Sequence, residues 1–186
     1  MNGKFLSIPL TLLIIAITPQ AFAENEDIVV VLETSSGNIV IEFFSDDAPN
    51  HVDNFLKLTE DGVYDGTYFH RIIPGFMIQG GDPNTKKPEL RAQWGMGGPG
   101  HNVKAEFSSR SHLRGIVSMA RSTDPNSAGS QFFIVTADST FLDREYTVFG
   151  QVTQGMDVAD KIVNLPRDQT DCPQQEAKMI KVTISE

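Results

Sequence analysis

The sequence has little cysteine and little positive charge. Its 186 residues contain one cysteine, Cys172, so the chain cannot form a disulfide within itself and must depend on its core for stability. Cys172 lies in a polar Asp-Cys-Pro stretch without a recognisable histidine partner, which predicts an incidental thiol and not a nucleophile. Only 15 Lys and Arg residues oppose 24 Asp and Glu residues, giving a net charge of -9. This balance argues against nucleic acid as a partner, because a phosphate backbone is bound by clustered cations.

Long apolar runs are also lacking, with one exception near the N-terminus. Lys4 is followed by a mainly apolar run over residues 5–17 and then by a small-x-small pattern that ends at Ala23. This layout is typical of a secretory signal peptide cleaved after Ala23. The alternative is an uncleaved membrane anchor, but the run is shorter than the roughly 20 apolar residues that span a bilayer. We therefore expect a signal peptide over residues 1–23, one folded domain over residues 24–186, and no stable membrane insertion after cleavage.

Motifs for metal, nucleotide and covalent chemistry are absent or out of context. The histidines, at positions 51, 70, 101 and 112, show no ligand spacing with one another or with the cysteine. Residues 95–100 match G-x-G-x-x-G, but they include a proline and do not lie between a strand and a helix, so a surface loop is favoured over a dinucleotide site. No serine lies in a G-x-S-x-G nucleophile elbow. We expect no metal and no cofactor.

Strand patterns dominate the rest of the chain. Short apolar or alternating runs separated by turn-forming residues predict strands, and apolar residues at helical spacing predict two modest helices. Residues 82–102 form a long irregular stretch, which predicts a functional or flexible loop. Many short strands with two helices favour a mainly β fold, a barrel with helical caps. The predicted strands are residues 28–34, 39–44, 113–120, 131–136, 146–152 and 179–184 with further extended chain in 64–81, and the predicted helices are residues 46–62 and 156–163.

Two segments carry the most specific pattern in the chain. Residues 64–82 read Tyr-Asp-Gly-Thr-Tyr-Phe-His-Arg-Ile-Ile-Pro-Gly-Phe-Met-Ile-Gln-Gly-Gly-Asp, and residues 129–133 read Gly-Ser-Gln-Phe-Phe. Together they resemble the signature of the cyclophilin family of peptidyl-prolyl cis/trans isomerases, and the resemblance extends from about residue 29 to residue 184. It implies an eight-stranded antiparallel closed β-barrel capped by two α-helices, which agrees with the strand and helix patterns.

The resemblance also implies a reaction, rotation about an X-Pro amide. Resonance gives that bond a barrier of about 18–20 kcal/mol, and in the twisted state the prolyl nitrogen regains its lone pair. A fixed cationic donor can therefore stabilise the twisted amide more than the planar one. Arg71 occupies the family's catalytic arginine position, and an arginine stays protonated. Phe76 and Gln79 complete the catalytic set, with Gln79 expected to orient Arg71 or to bond the substrate backbone.

A substrate-binding set follows from the same resemblance. An apolar pocket for the proline ring is expected from Phe76, Met77, Phe133 and Leu142, while Arg121 is expected to contact the peptide through its backbone. Two positions differ from the best-known eukaryotic members, which carry Trp and His where this chain has Phe141 and Tyr146. Phe141 lacks the indole N–H donor, so weak or no binding of the cyclic peptide cyclosporin is expected. The full predicted binding set is Met77, Arg121, Gln131, Phe133, Phe141, Leu142 and Tyr146.

The function predicted from these residues is an isomerase that accelerates folding of exported proteins. Its partners are proline-containing unfolded or partly folded polypeptides, and it is expected to act as a monomer. The signal peptide favours the periplasm, and so do Phe141 and Tyr146, since bacterial members of the family often carry such replacements. Secretion or an endomembrane lumen are the alternatives. A second hypothesis is a chaperone module that binds proline segments, using the loop over residues 82–102, with incidental isomerase activity. A third is a structural envelope protein that retains only the fold.

Overall fold

A computed structural model describes residues 28–185, so the predicted signal peptide and its cleavage site lie outside the described residues. None of the helices in this described part is long and apolar enough to cross a membrane. The strands are β1 (Val29–Thr34), β2 (Gly37–Phe43), β3 (Arg71–Ile73), β4 (Met77–Gly80), β5 (Ile116–Met119), β6 (Phe132–Val135), β7 (Val148–Gln154) and β8 (Met179–Ser185). The helices are α1 (Pro49–Glu60) and α2 (Met156–Val163), with 3-10 helices at Pro83–Lys86, Pro88–Gln93 and Thr140–Leu142.

All eight strands form one antiparallel sheet in the order β3-β4-β6-β5-β7-β2-β1-β8. The predicted mainly β class, the strand number and the two α-helices are confirmed. The strand order ends at β3 and β8, so strand pairing alone does not confirm the predicted closed barrel. The chain just before β3 nevertheless reaches the start of β8. There the amides of Phe69 and Met179 donate to the carbonyls of Ala177 and Thr67, each over 2.8 Å.

The hairpin of β1 and β2 shows how local sequence sets register. Val30 and Leu32 alternate with less buried residues and face the core, as expected for a strand with one buried face. The last pair of the ladder is Thr34 with Gly37, and the Thr34 hydroxyl donates to the Gly37 carbonyl over 2.6 Å. Gly37 has a φ of +130°, and a Cβ there would lie 2.8 Å from a methyl of Val158. Only glycine satisfies both the backbone and the packing of α2 at this turn.

The start of α1 differs from the sequence-based expectation. A helix is predicted over residues 46–62, but it begins at Pro49, so Asp46 and Asp47 precede it and its first turn contains no acid. Ala48, the N-cap residue, provides no side-chain hydrogen bond. Glu106 supplies the missing acceptors from a distant loop: its carboxylate accepts the backbone amides of Asn50 and His51 over 3.2 and 3.0 Å. A tertiary contact therefore performs the capping that helices usually obtain locally.

The main core is built around aromatic side chains. Phe55 of α1 is fully buried, with its ring centroid 4.7 Å from Tyr64 and 5.3 Å from both Phe132 and Phe149. Burial of each such side chain contributes roughly 1.5–3 kcal/mol, so this cluster anchors α1 to the sheet. A second, smaller apolar cluster lies apart from it and contains Met77, Ile116, Phe133, Val135, Leu142 and Val148.

The segment over residues 82–102 is more ordered than its sequence suggests. It contains two 3-10 helices and folds around the buried carboxylate of Asp82. Asp82 accepts the backbone amides of Asn84, Gly95 and Gly97 over 2.7, 2.5 and 3.2 Å. A Cβ on Gly97 would lie 2.0 Å from Asp82 Oδ1, so a side chain there would displace the carboxylate. The G-x-G-x-x-G match therefore belongs to a loop packed on an aspartate.

Candidate active site

Arg71 and Gln79 are neighbours because β3 and β4 form a tight hairpin. They occupy directly opposite positions in the ladder, and Gln79 is also opposite Phe133 on β6. Side chains directly opposite on one face of an antiparallel pair lie within contact range. Arg71 is exposed, and its guanidinium has no hydrogen bond or ion pair within residues 28–185. A permanently charged donor is thus available on the surface beside Gln79.

The β3–β4 turn fixes the position of Phe76. The Phe76 amide donates to the Ile73 carbonyl over 3.0 Å, and Gly75 adopts a φ of +74°. The Phe76 carbonyl in turn accepts the amide of Thr136 over 2.8 Å, which ties the turn to the end of β6. The Phe76 ring lies 5.4 Å from the ring of Phe141. These contacts place two aromatic rings at one rim of the site.

The apolar floor of the site comes from three elements. Met77 of β4 and Phe133 of β6 are 1% and 5% exposed, and Leu142 of the short 3-10 helix is 8% exposed. All three belong to the second apolar cluster, with Phe76 and Tyr146 packed against it. Phe133 meets Tyr146 edge to face, with centroids 5.8 Å apart. The floor is therefore supported from below by packed side chains, which keeps it in shape when empty.

A buried polar chain anchors the segment that carries Phe141 and Leu142. Asp143 Oδ1 accepts the His112 backbone amide over 2.8 Å and lies 3.1 Å from His112 Nδ1, while His112 Nε2 lies 3.0 Å from Ser118 Oγ. Burial lowers the pKa of His112, and the His112 amide lowers the pKa of Asp143. Ser118 is fully buried and donates to the Thr147 carbonyl over 2.9 Å. This serine, histidine and aspartate hold structure and offer no accessible nucleophile.

Arg121 is held in place by its own side chain. Its guanidinium donates to the Glu145 carbonyl over 2.9 and 3.0 Å and to the Ser122 carbonyl over 2.9 Å. The same group lies over the ring of Tyr146, with its carbon 4.6 Å from the ring centroid. The sequence predicts only a backbone contact between Arg121 and the peptide. The structure gives it a structural role in fixing the Tyr146 wall.

These elements surround a cavity of 310 Å³. Nine of the ten predicted site residues line it, together with Ala120, which the sequence did not indicate. The exception is Gln131, which lines an adjacent cavity of 640 Å³. The roles of these residues in catalysis and binding stay predictions. The nine are Arg71, Phe76, Met77, Gln79, Arg121, Phe133, Phe141, Leu142 and Tyr146.

The side chain of Gln79 bonds Gln131 and not Arg71. Its amide nitrogen donates to Gln131 Oε1 over 2.9 Å, and Gln131 in turn donates to the carbonyls of Gly95 and Gly97 over 3.0 and 2.8 Å. Within residues 28–185 no hydrogen bond joins the side chains of Gln79 and Arg71. Gln79 therefore links the site to the loop over residues 82–102. Residues 95–102 of that loop line the adjacent cavity, a contribution that no spacing in the sequence indicates.

Neither metal nor thiol chemistry finds support in the described residues. No group of three or more His, Cys, Asp and Glu side chains in residues 28–185 is placed to hold a metal ion. Cys172 is buried and unbridged, and burial raises the pKa of its thiol. A raised pKa keeps the thiol protonated and poorly nucleophilic. The arrangement instead offers a cationic donor beside a cavity of side-chain size with an apolar floor.

Comparison with known proteins gives a consistent result. The family model for cyclophilin type peptidyl-prolyl cis-trans isomerases matches residues 29–184. A probable peptidyl-prolyl cis-trans isomerase of Brucella abortus (strain 2308) is 43% identical over 168 residues, which cover 88% of this chain and 86% of that protein. Peptidyl-prolyl cis-trans isomerase A of Dickeya dadantii (strain 3937) is 41% identical over 167 residues, covering 87% and 85%.

The fold has solved counterparts as well. A cyclophilin type peptidyl-prolyl cis-trans isomerase of Cryptosporidium parvum, crystallised in the presence of the dipeptide Ala-Pro, is 34% identical. It aligns with a TM-score of 0.76 over 85% of this chain and 99% of that chain. A cyclophilin from Hirschia baltica is 30% identical, with a TM-score of 0.70.

Proposed function

The chain belongs to the cyclophilin family of peptidyl-prolyl cis-trans isomerases, and we propose that Arg71 is the group that stabilises its transition state. The observation that carries this proposal is the position of an exposed, unpaired guanidinium at the wall of an apolar cavity of 310 Å³. Phe76, Met77 and Phe133 line the same cavity. A proline ring held against these side chains presents its amide nitrogen toward Arg71.

The mechanism requires no covalent step. Rotation about the X-Pro bond loses amide resonance, and the lone pair that returns to the prolyl nitrogen becomes a hydrogen-bond acceptor. Arg71 donates to that nitrogen in the twisted state, where the acceptor exists, and finds no such acceptor in the planar ground state. This difference lowers the barrier, because only interactions stronger in the transition state accelerate the reaction.

The cavity floor supplies the second requirement, a fixed proline. Met77, Phe133 and Leu142 offer a preformed apolar surface, so binding buries the ring without first ordering the pocket. When the ring is held still and the preceding carbonyl turns, the motion is confined to rotation about the X-Pro bond. Gln79 is held by Gln131 and by the loop carbonyls behind it, and we propose that its remaining oxygen bonds the substrate backbone.

Replacement of Arg71 tests this mechanism. Arg71→Ala is expected to lower kcat/KM on a short X-Pro peptide by two or more orders of magnitude, about 3 kcal/mol of transition-state stabilisation. NMR exchange spectroscopy or a protease-coupled assay measures the rate. Lys161→Ala, at an exposed residue of α2, serves as the matched control and is expected to keep full activity. Full activity in Arg71→Ala would overturn the assignment.

A second candidate function is supported by the larger cavity of 640 Å³ beside the first. It is lined by loop residues 95–102 and shares Gln79 and Arg121 with the proline site, so it extends the surface along which a client chain can lie. This cavity favours a chaperone module that binds proline-containing segments and whose isomerase activity is incidental. Met96, 79% exposed, provides the test through Met96→Ser. Loss of binding to an unfolded client with unchanged peptide isomerisation would support the module.

We further propose that the protein acts on exported polypeptides in the periplasm, secretion or an endomembrane lumen being the alternatives. The N-terminal pattern over residues 1–23 supports export. The mature protein recovered from a periplasmic extract is expected to begin at Glu24. An intact N-terminus at Met1 on a membrane-bound protein would contradict this proposal.

Weak cyclosporin binding is proposed from Phe141. Its ring is 72% exposed and packs on Phe76, but a phenyl group has no N–H to donate. Phe141→Trp is expected to tighten binding about tenfold, the size of one hydrogen bond. Isothermal titration measures the affinity of both proteins, and equal affinities would contradict the proposal. Light scattering tests the accompanying proposal that the protein is a monomer.

Closure of the barrel is proposed from the contacts that bridge the two ends of the strand order. Backbone hydrogen bonds join residues 66–69 to the chain at residues 177–179, and Tyr68 pairs with Lys178 as an isolated antiparallel bridge. The β3 edge is further covered by the Asp171 carbonyl, which accepts the Ile72 amide over 2.9 Å. These bonds support a barrel without an open edge.

A further inference from the structure

A second cavity, of 340 Å³, adjoins the proline site at Arg71. It shares Arg71, Gln79 and Arg121 with the proline cavity, and Arg91 adds a third arginine to its lining. No Asp or Glu side chain lines it. The chain as a whole has a net charge of -9, but the three arginines make the lining of this cavity positively charged. We refer to it as the arginine pocket.

The charges of these arginines are only partly neutralised. Arg71 has no ion-pair partner within residues 28–185. Arg121 is held chiefly by backbone carbonyls, and its one carboxylate contact, to Glu145, is 3.5 Å long. Arg91 meets Asp168 Oδ2 over 3.2 Å, while the other oxygen of Asp168 accepts the amides of Thr170 and Cys172. The lining of the arginine pocket therefore carries more positive than negative charge, although Asp168 and Asp82 lie close to Arg91 and His70.

The residues around Arg91 are arranged in advance of any ligand. The guanidinium carbon of Arg91 lies 5.1 Å from the ring centroid of Trp94, and Trp94 stacks on Tyr68 with centroids 5.6 Å apart. The Trp94 indole N–H donates to the Lys87 carbonyl over 3.3 Å. An arginine lying on a supported aromatic ring loses less freedom when it binds an anion.

His70 adds a neutral polar group to the same lining. Its side chain lines the arginine pocket although the residue is only 6% exposed, and neither ring nitrogen has a hydrogen-bond partner within residues 28–185. Buried polar atoms normally have partners, so an unpaired imidazole beside a cavity indicates a position where a ligand atom can bond. Its N–H is a suitable donor to a carboxylate.

We propose that the arginine pocket binds a carboxylate side chain of the client, an Asp or Glu close in sequence to the isomerised proline. The proposal rests on the proposed function, since it assigns a substrate preference to that site. The two cavities share Arg71, and an extended chain advances about 3.3 Å per residue. The acidic residue therefore lies within three positions of the proline. Its carboxylate meets Arg91 and the His70 N–H while the ring occupies the apolar cavity.

The test uses seven-residue peptides with a central proline among alanines. One alanine at a time is replaced by Glu or by the uncharged isostere Gln, at each of the three positions on either side of the proline. NMR exchange spectroscopy gives kcat/KM for each pair at low salt. At one or more positions the Glu peptide is expected to be isomerised three- to tenfold faster than its Gln partner. The difference is expected to shrink in 0.5 M NaCl, because salt screens partly exposed charges.

Variants locate the preference. Arg91→Gln is expected to bring the Glu-to-Gln ratio close to one, and Arg91→Lys to keep part of it. Thr170→Glu, at an exposed residue of the lining, places a carboxylate by the pocket and is expected to remove the ratio independently. Lys57→Gln makes the same change of charge as Arg91→Gln, but on the exposed side of α1, and is expected to leave the ratio unchanged.

The outcomes separate this inference from the proposed function. Equal rates for Glu and Gln peptides at every position would overturn the arginine pocket as a carboxylate site while leaving the isomerase intact. Loss of the ratio in Lys57→Gln to the same extent as in Arg91→Gln would also overturn it, because the effect would then be one of overall charge. Failure to isomerise the Gln peptides would instead count against the proposed function itself.

Discussion

The side chains next to Arg71 distinguish it from the other arginines of the chain. Fifteen Lys and Arg residues occur in the chain, and an exposed arginine is ordinarily a solvated surface group. Arg71 differs because the β3–β4 register places it opposite Gln79 and beside a floor made of Met77 and Phe133. A cationic donor next to an apolar floor suits a substrate with a ring to bury and a nitrogen to bond.

His70 leads to a prediction about pH. Burial lowers the pKa of its imidazole from the ordinary value of 6.5, an effect that the nearby Asp82 carboxylate opposes without reversing. The unfolded chain therefore takes up a proton near pH 6.5, where the folded chain does not. Stability falls as the pH drops through 6.5, because the unfolded state binds more protons. The free energy of unfolding, measured by urea denaturation, is expected to be lower at pH 5.0 than at pH 7.5.

His70→Gln isolates this contribution. The variant is expected to lose less stability than the parent protein between pH 7.5 and pH 5.0, whatever its stability at pH 7.5. Part of the pH dependence is expected to remain, since burial also lowers the pKa of His112. The lower limit of pH 5.0 stays above the ordinary pKa values of Asp and Glu, about 3.9 and 4.3, which limits the contribution of these side chains. An identical loss in both proteins would refute the assignment to His70.

At the scale of elements, α1 depends on a residue that is far away in the chain. Glu106 accepts the Asn50 side-chain amide over 2.6 Å and lies 2.6 Å from His51 Nδ1, in addition to the two backbone amides. Burial alone would raise the pKa of the Glu106 carboxyl. The hydrogen bonds to it, of which the one from the His51 side chain has the largest effect, instead hold this pKa below its ordinary value. The carboxylate also sits at the positive end of the helix dipole.

Glu106→Ala is expected to reduce the free energy of unfolding by about 1–2 kcal/mol, the usual effect of losing a helix cap. Glu106→Gln keeps one acceptor oxygen and is expected to cost less. Glu60→Ala, at the exposed C-terminal end of α1, is the control and is expected to change stability by less than about 0.5 kcal/mol. Urea denaturation with equal m-values compares the four proteins. Equal stability of Glu106→Ala and the parent would show that α1 needs no cap.

At the scale of the whole molecule, the ends of the strand order decide whether the sheet behaves as a barrel. If the barrel is closed, the amides of Gly66, Phe69 and Met179, which donate across the junction over 2.8 Å, are protected from solvent exchange. Their hydrogen exchange is expected to be as slow as that of amides in β4 and β6, because they open only with the sheet. Exchange as fast as in the exposed turn at residues 124–127 would indicate an open edge.

The sequence alone indicated much of this organisation, and the reason is that the relevant signals are local. Alternation in β1 and β2 and the compact run from Arg71 to Gln79 concern residues that contact one another within a few positions. The two signature segments contain five of the nine cavity-lining residues. The other four, Arg121, Phe141, Leu142 and Tyr146, came from the wider resemblance. The start of α1 was placed less well, since the helix begins at Pro49 and takes its acid from Glu106.

What the sequence by itself determined is the fold class, the family and the position of Arg71 beside an apolar pocket. Only the tertiary structure decided which distant groups meet. It joined Gln79 to Gln131 and the loop, folded residues 82–102 around Asp82, and brought Arg91 and Trp94 to a cavity that Arg71 also lines. These contacts connect segments separated by tens of residues, and their geometry depends on sheet order and side-chain packing. Spacing along the chain does not encode that geometry, because the geometry is set only when the strands pair and the core packs.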